Sequence, residues 1–185
     1  MATVSCDDVS KLSNTDIVLL ESILEYYNDN HEHIIKFLGV VKRKNGMSLR
    51  VIDWLVTNYS KEHCITISIQ DGHLPRDLNR DYQKNLNAYN KRALDPFSRR
   101  NKINVKVCHE NNDVEHRATS IGQLNFFRWF FRNSVDVYLS TEKRKIELHM
   151  KRAESENKKS RKKCKKRHTF NCPRSYVGSF TMDFD

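Results

Sequence analysis

Lys151 and Arg152, a short spacer, and then Lys158, Lys159, Arg161, Lys162, Lys163, Lys165, Lys166 and Arg167 place ten cations within seventeen residues. Side chains of this type at this density suit phosphate neutralisation, because a polycation gains free energy by releasing the counterions condensed on a nucleic-acid backbone. The two-cluster spacing also matches a bipartite nuclear localisation signal. The expected chemistry is mainly non-specific contact with DNA or RNA; the plain alternative is a solubilising linker with no dedicated ligand. A second basic group surrounds the Leu94-Asp95-Pro96-Phe97 corner. Arg92, Arg99, Arg100 and Lys102 lie around it, and Arg128 and Arg132 form a polar strip further along the chain. Tyr82 and Tyr89 could supply stacking surfaces between these cations. Alternatively the tyrosines face the core and the arginines pair with Asp53, Asp81 or Asp95.

Other reactive side chains lack a complete pattern. Cys164, His168 and Cys172 are evenly spaced, with Cys108, His109 and His116 as complements. A closed structural zinc site needs four ligands, however, the usual short Cys-x-x-Cys is missing, and lysines flank Cys164, so no metal is expected. His31 and His33 are two apart on a helix end and diverge. No phosphate loop, dinucleotide fingerprint or nucleophile elbow occurs. Cys64 beside His63, and Cys108 beside His109, read as strand neighbours that point to opposite faces. Asp53 reads as an N-terminal-turn or surface carboxylate rather than a general base. Neither a cofactor nor an enzymatic activity is expected.

The elements that must carry these groups are set by periodicity. Ser13-Asn14-Thr15-Asp16 fits a capping pattern and opens a helix with Ile17, Leu20, Ile23, Leu24 and Tyr27 at helical spacing. Ile34 to Leu38 predicts a second, short helix, followed by an Asn45-Gly46 turn. Ser48 caps a third, with Val51, Ile52, Leu55, Val56 and Tyr59 on one face. Cys64 to Ile69 alternates apolar and polar residues, which predicts a strand. Leu78, Tyr82, Leu86, Tyr89 and Ala93 form a narrow stripe on a polar helix that Pro96 closes. Ile103, Val105 and Val107 predict another strand, with residues 114–120 as its hairpin partner. In Gln123 to Arg132, Phe126, Phe127, Trp129, Phe130 and Phe131 cover nearly all of a helix except the strip of Asn125, Arg128 and Arg132, so this is expected to be the central core helix. Ser140-Thr141 reads as the cap of a basic arm, helical at its root and disordered beyond Ser160. Residues 176–184 alternate again, as an edge strand would.

Charge is distributed unevenly. The 185 residues carry a net +10, yet residues 141–168 hold thirteen Lys/Arg against four Glu, so the rest is nearly neutral. That asymmetry points to nucleic acid or an anionic membrane surface as partner. Apolar residues at 38%, with five glycines and three prolines, still allow a core and exclude collagen-like or low-complexity chains. No apolar run reaches the roughly 18–20 residues of a membrane span, so no membrane partner is expected. Residues 1–8 show neither a basic nor an apolar leader segment, and the five cysteines are dispersed and odd in number. Both features suggest free thiols in a reducing, intracellular setting.

Three stretches, residues 49–61, 82–100 and 119–129, with the Lys/Arg-rich run and the terminal Phe184-Asp185, resemble uncharacterised proteins of giant viruses, the nucleocytoplasmic large DNA viruses. The resemblance implies a viral origin and supplies no activity. The expected fold is α+β, a small single domain with a helical N-terminal half, a small antiparallel sheet of residues 64–70, 102–108 and 114–120, a central aromatic helix and a protruding basic arm. Its expected organisation is a flexible lead-in (1–12), a globular domain (13–140), the arm (141–172) and a tail (173–185). The expected function is a nucleic-acid-binding or DNA-condensing accessory protein in the host nucleus, the viral factory or the virion. Self-association or contact with other viral proteins is the further partner expectation. The alternative is a structural or interaction component of the virion or replication site with no direct nucleic-acid role, its aromatic helix and near-neutral body forming a protein interface.

Overall fold

The computed structural model describes residues 3–6, 12–44, 46–67, 75–100, 102–109 and 113–167, with side chains described through Ser160. The chain divides into two units, Met1–Met150 and Lys151–Asp185. The first has an α+β architecture. In chain order it contains β1 (Thr3–Cys6), α1 (Asn14–Asp29), α2 (His31–Val41), α3 (Leu49–Trp54), a π turn (Leu55–Tyr59), α4 (Ser60–His63), β2 (Thr66–Ile67), β3 (Arg76–Asp77), α5 (Leu78–Ala93), β4 (Lys102–Cys108), β5 (Val114–Ser120) and α6 (Ile121–Arg132). The last helix, α7 (Val135–Arg167), contains the boundary between the units.

Short polar side chains start four of the helices, two of them, α1 and α3, where the sequence places them. Ser13 Oγ accepts from the Asp16 amide at 3.2 Å, and Ser48 Oγ from the Arg50 amide at 3.3 Å. Asp77 and Ser120 do the same for α5 and α6, accepting from the Arg80 and Gln123 amides. Each satisfies a donor that the helix itself leaves unpaired.

The core forms around α6. Phe126, Phe127, Trp129, Phe130 and Phe131 are all buried, as a helix apolar on most sides requires. Their rings meet mostly edge-on or tilted, at centroid separations such as 5.5 Å for Phe126–Phe127, the arrangement that ring quadrupoles favour. Buried polar bonds fix the neighbours of α6. Tyr27 on α1 donates its hydroxyl to Leu124 O at 3.0 Å, and Trp129 Nε1 donates to Asp81 on α5 at 2.8 Å. Asn125, 1% exposed, donates to Ala93 O at 2.8 Å. The polar strip of α6 therefore begins inside the protein and emerges at Arg132.

Several expectations need correction. The main sheet has the order β1-β4-β5, antiparallel throughout, with Val105 opposite Cys6 and Arg117. Residues 64–70 do not join it. Thr66–Ile67 pairs instead with Arg76–Asp77 in a separate two-stranded ribbon, and residues 68–70 lie outside the described residues. The vacant edge is filled by Thr3–Cys6, which the sequence places in a flexible lead-in. Val4 is buried there, and Asn28 of α1 both accepts from its amide at 2.7 Å and donates to its carbonyl at 3.2 Å. Helix α5 breaks at Asn90, with φ 60° and ψ 165°, before Pro96 is reached. Asn90 Oδ1 then caps the final turn by accepting from the Arg92 and Ala93 amides. Ser140 and Thr141 are inside α7 rather than at its start, and their hydroxyls donate back to Asp136 O and Val137 O. The core face of α7 (Val135, Leu139, Ile146) continues past Ser140, so the first unit extends to Met150. The helical backbone likewise continues beyond Ser160, to Arg167.

Candidate nucleic-acid interface

The arm is helical for a local reason. After Met150 it holds no glycine or proline before Arg167, and Lys, Arg, Ala and Glu lose little side-chain freedom in a helix. Ser160 Oγ donates to Glu156 O at 3.0 Å. At 1.5 Å rise per residue, residues 151–167 extend about 24 Å. Lys151, Arg152, Lys158 and Lys159 are exposed. Cations crowded toward a helix C-terminus complement its dipole. Against that, Lys158/Lys162, Lys159/Lys163, Arg161/Lys165, Lys162/Lys166 and Lys163/Arg167 are each four residues apart, where like charges repel. This helix has more positive charge than it can neutralise internally, and polyanion phosphates would relieve it. His168 and Cys172, the other residues of the sequence-level zinc pattern, and the tail 173–185 lie outside the described residues.

The basic residues of the first unit fall into separate places. Arg99 and Lys102 line a hollow of about 440 Å³ with Phe97, Ser98, Thr119 and Gln123. The corner that carries them is locked to the start of α6. Gln123 Nε2 donates to Pro96 O at 2.7 Å, Ser120 Oγ to Ser98 O at 2.9 Å, and the Asp95 amide to Gly122 O at 3.2 Å. Residue 122 must be glycine for this approach, since a Cβ there would be 2.4 Å from Arg92 O. Arg100 is exposed on the same corner, and Arg132 is exposed at the end of α6. Arg128 belongs to another hollow. It donates to Ser22 Oγ at 3.0 Å and Tyr89 OH at 3.3 Å, with its guanidinium 5.9 Å from the Tyr89 ring centre.

Neither tyrosine is a free stacking surface. Tyr82 is 5% exposed, and its hydroxyl is pushed up to about 12 by burial and then by the nearby charges of Asp53 and Asp95. Tyr89 is engaged by Arg128. The exposed ring beside the cations is Phe97, 46% exposed. Sequence reasoning includes it in the corner without assigning it that role, and its position after Pro96, in a turn, is the available signal. The expected arginine–aspartate pairs are replaced by others. Asp81 accepts from Trp129 and Asn85 and pairs with Arg76 at 3.5 Å, while Asp95 Oδ1 accepts from the Phe97 amide at 2.8 Å. Asp53 is half-buried rather than a surface carboxylate. Burial, then the charge of Asp95, raises its carboxyl above the usual range, and Lys91 opposes that.

Among the described cysteines, Cys6, Cys64 and Cys108 are free thiols. Cys64 is the left-handed cap of α4, φ 46°, rather than a strand residue. No helix among the described residues is long and apolar enough to cross a membrane.

Comparison with known proteins identifies the class. A family model described as a family of unknown function, DUF7197, matches residues 4–174, and the chain belongs to that family. The chain is 30% identical over 167 residues to an uncharacterized protein of Acanthamoeba polyphaga mimivirus, covering 89% of this chain and 62% of that one. The chain therefore spans less than two thirds of the length of that relative. The resemblance to uncharacterised giant-virus proteins is borne out, and the chain is a viral protein. No solved structure matches.

Proposed function

We propose that this protein is a nucleic-acid-binding accessory protein that grips phosphates through its basic arm. One observation carries the reading: residues 151–167 form a helix bearing ten cations and two glutamates, and its described lysines and arginine are exposed. Arg99, Arg100 and Lys102, next to the exposed Phe97 ring, offer a secondary contact, in which the ring stacks on an unpaired base and the cations meet its phosphates. Arg132 adds positive charge at the end of α6, whereas Arg128 is engaged with Ser22 and Tyr89. Affinity arises mainly from counterion release, so DNA and RNA of unrelated sequence bind alike. Action in the host nucleus, the viral factory or the virion is part of the same proposal.

The test changes the arm and leaves the first unit intact. Replacing Lys158, Lys159, Lys162, Lys163, Lys165 and Lys166 with glutamine in the full chain should weaken DNA binding at near-physiological salt by at least about tenfold, since up to six phosphate contacts are lost. Unchanged affinity in that variant would refute the proposal. Truncation after Ser140 is a poor substitute, because it also removes the fully buried Ile146.

A further inference from the structure

A cluster unrelated to the basic arm lies where α4 and α7 meet within the first unit. Glu62, His63 and His149 each offer one donor atom, and these three atoms are within 4.8 Å of one another. Glu62 and His63 are consecutive and exposed; His149, 86 positions beyond His63 in the chain, is half-buried. Local sequence could not suggest the combination. The π turn at Leu55–Tyr59 immediately precedes α4, and such turns, with i→i+5 bonds, rotate the next helical residues away from the positions they would hold in an uninterrupted helix. Aromatic rings wall the cluster: Tyr59 is 4.2 Å from the His63 ring centre and 5.2 Å from that of His149.

From this geometry we infer that Glu62, His63 and His149 form a binding site for a divalent transition-metal ion of the zinc type. Two imidazoles and a carboxylate suit such a borderline cation, whereas Mg²⁺ and Ca²⁺ favour all-oxygen sites. Three protein ligands leave one tetrahedral position for water.

The hydrogen bonds around His149 predict what binding changes. Trp54 Nε1, which can only donate, is 3.1 Å from His149 Nδ1, so Nδ1 carries the lone pair. Nε2 then carries the ring proton and donates to Glu62 at 2.7 Å. A metal ion at Nε2 takes that proton's place. The proton moves through solvent to Nδ1, the ring stays neutral, and the indole N–H loses its acceptor. Metal binding therefore exchanges the Trp54–His149 bond for a metal–nitrogen bond, and Trp54 becomes its reporter. Trp129 is buried and bonded to Asp81, so it does not respond.

The experiment titrates the reduced full-length protein with Co²⁺ and then Zn²⁺. The expected result is one equivalent of cobalt with visible d–d bands and no thiolate-to-metal charge-transfer band. Zinc should displace the cobalt, and tryptophan fluorescence should shift on binding. His63→Gln and His149→Gln should each weaken binding at least about tenfold. Trp54→Phe should retain the metal but lose the fluorescence response. Absence of stoichiometric binding overturns the inference. So does a thiolate charge-transfer band, which would place the ion on cysteines such as Cys164 and Cys172, and so does His149→Gln binding as tightly as wild type. The wild-type cobalt spectrum decides the matter even if a variant fails to fold.

Discussion

Phe130 and Asp53 illustrate how single side chains act here in opposite directions. Phe130 is fully buried among Phe126, Phe127 and Phe131. Truncation leaves a cavity that the surrounding rings cannot close, so Phe130→Ala should cost about 3–5 kcal/mol, readable as a lower denaturation midpoint. A cost under about 1 kcal/mol would contradict this account of the core. Asp53 lowers stability instead. Its folded-state carboxyl is raised, first by burial and then by Asp95, so the folded state disfavours the charged form. Below the unfolded carboxylate range both states are neutral and there is no penalty; as pH rises through the raised folded value, stability is lost. Asp53→Asn should therefore raise Tm at pH 7, and the gain should shrink as pH falls toward about 4. A pH-independent effect, or a loss at pH 7, would contradict that assignment. The caps Ser13 and Ser48 are legible in the sequence because capping is local chemistry. The break at Asn90 is not, because it depends on Asn tolerating positive φ while its own side chain caps the next turn. The Glu62–His63–His149 cluster has no sequence signal, since His149 is far from the consecutive Glu62 and His63 in the chain.

At the scale of elements, α6 and the β4–β5 hairpin are legible from periodicity alone. Strand β1 is not, because the four residues Thr3–Cys6 are too few to carry an alternation that distinguishes a strand from a loose segment. Its place depends on Asn28 and on the open edge of β4, both tertiary features. Residues 64–70 mislead for the opposite reason: β-branched alternation fits any half-buried extended segment, and tertiary pairing decides which partner it finds. Sequence reasoning expects the arm to lose its helix beyond Ser160, where the like-charge density is greatest, yet the helical backbone reaches Arg167. Each repelling pair four residues apart costs about 0.2–0.5 kcal/mol at low ionic strength, so the helix has a measurable electrostatic handicap. Circular dichroism of the full chain should show helicity rising when short duplex DNA, itself nearly silent near 222 nm, is added in dilute buffer. A smaller rise should accompany added salt alone. Helicity unaffected by both would mean that arm charge does not govern its conformation.

For the molecule as a whole, the division of charge is the feature that function must explain. A near-neutral first unit of α+β architecture is followed by a segment whose residues 151–167 carry ten cations against two glutamates. That division can be read from the sequence, since it is a matter of composition along the chain, whereas the hollow beside Phe97 requires the fold. In the structural-component reading the aromatic helix and the near-neutral body share an interface; the rings of that helix are buried in the core, which leaves that role to the outer surface of the body. The most direct test is the salt dependence of the affinity of the unmodified full-length protein for duplex DNA. If the arm engages phosphates as proposed, log affinity against log salt should fall with a slope between about −4.5 and −9, from about −0.9 for each of five to ten contacts. A slope near zero, or no binding in dilute buffer, would contradict the proposal.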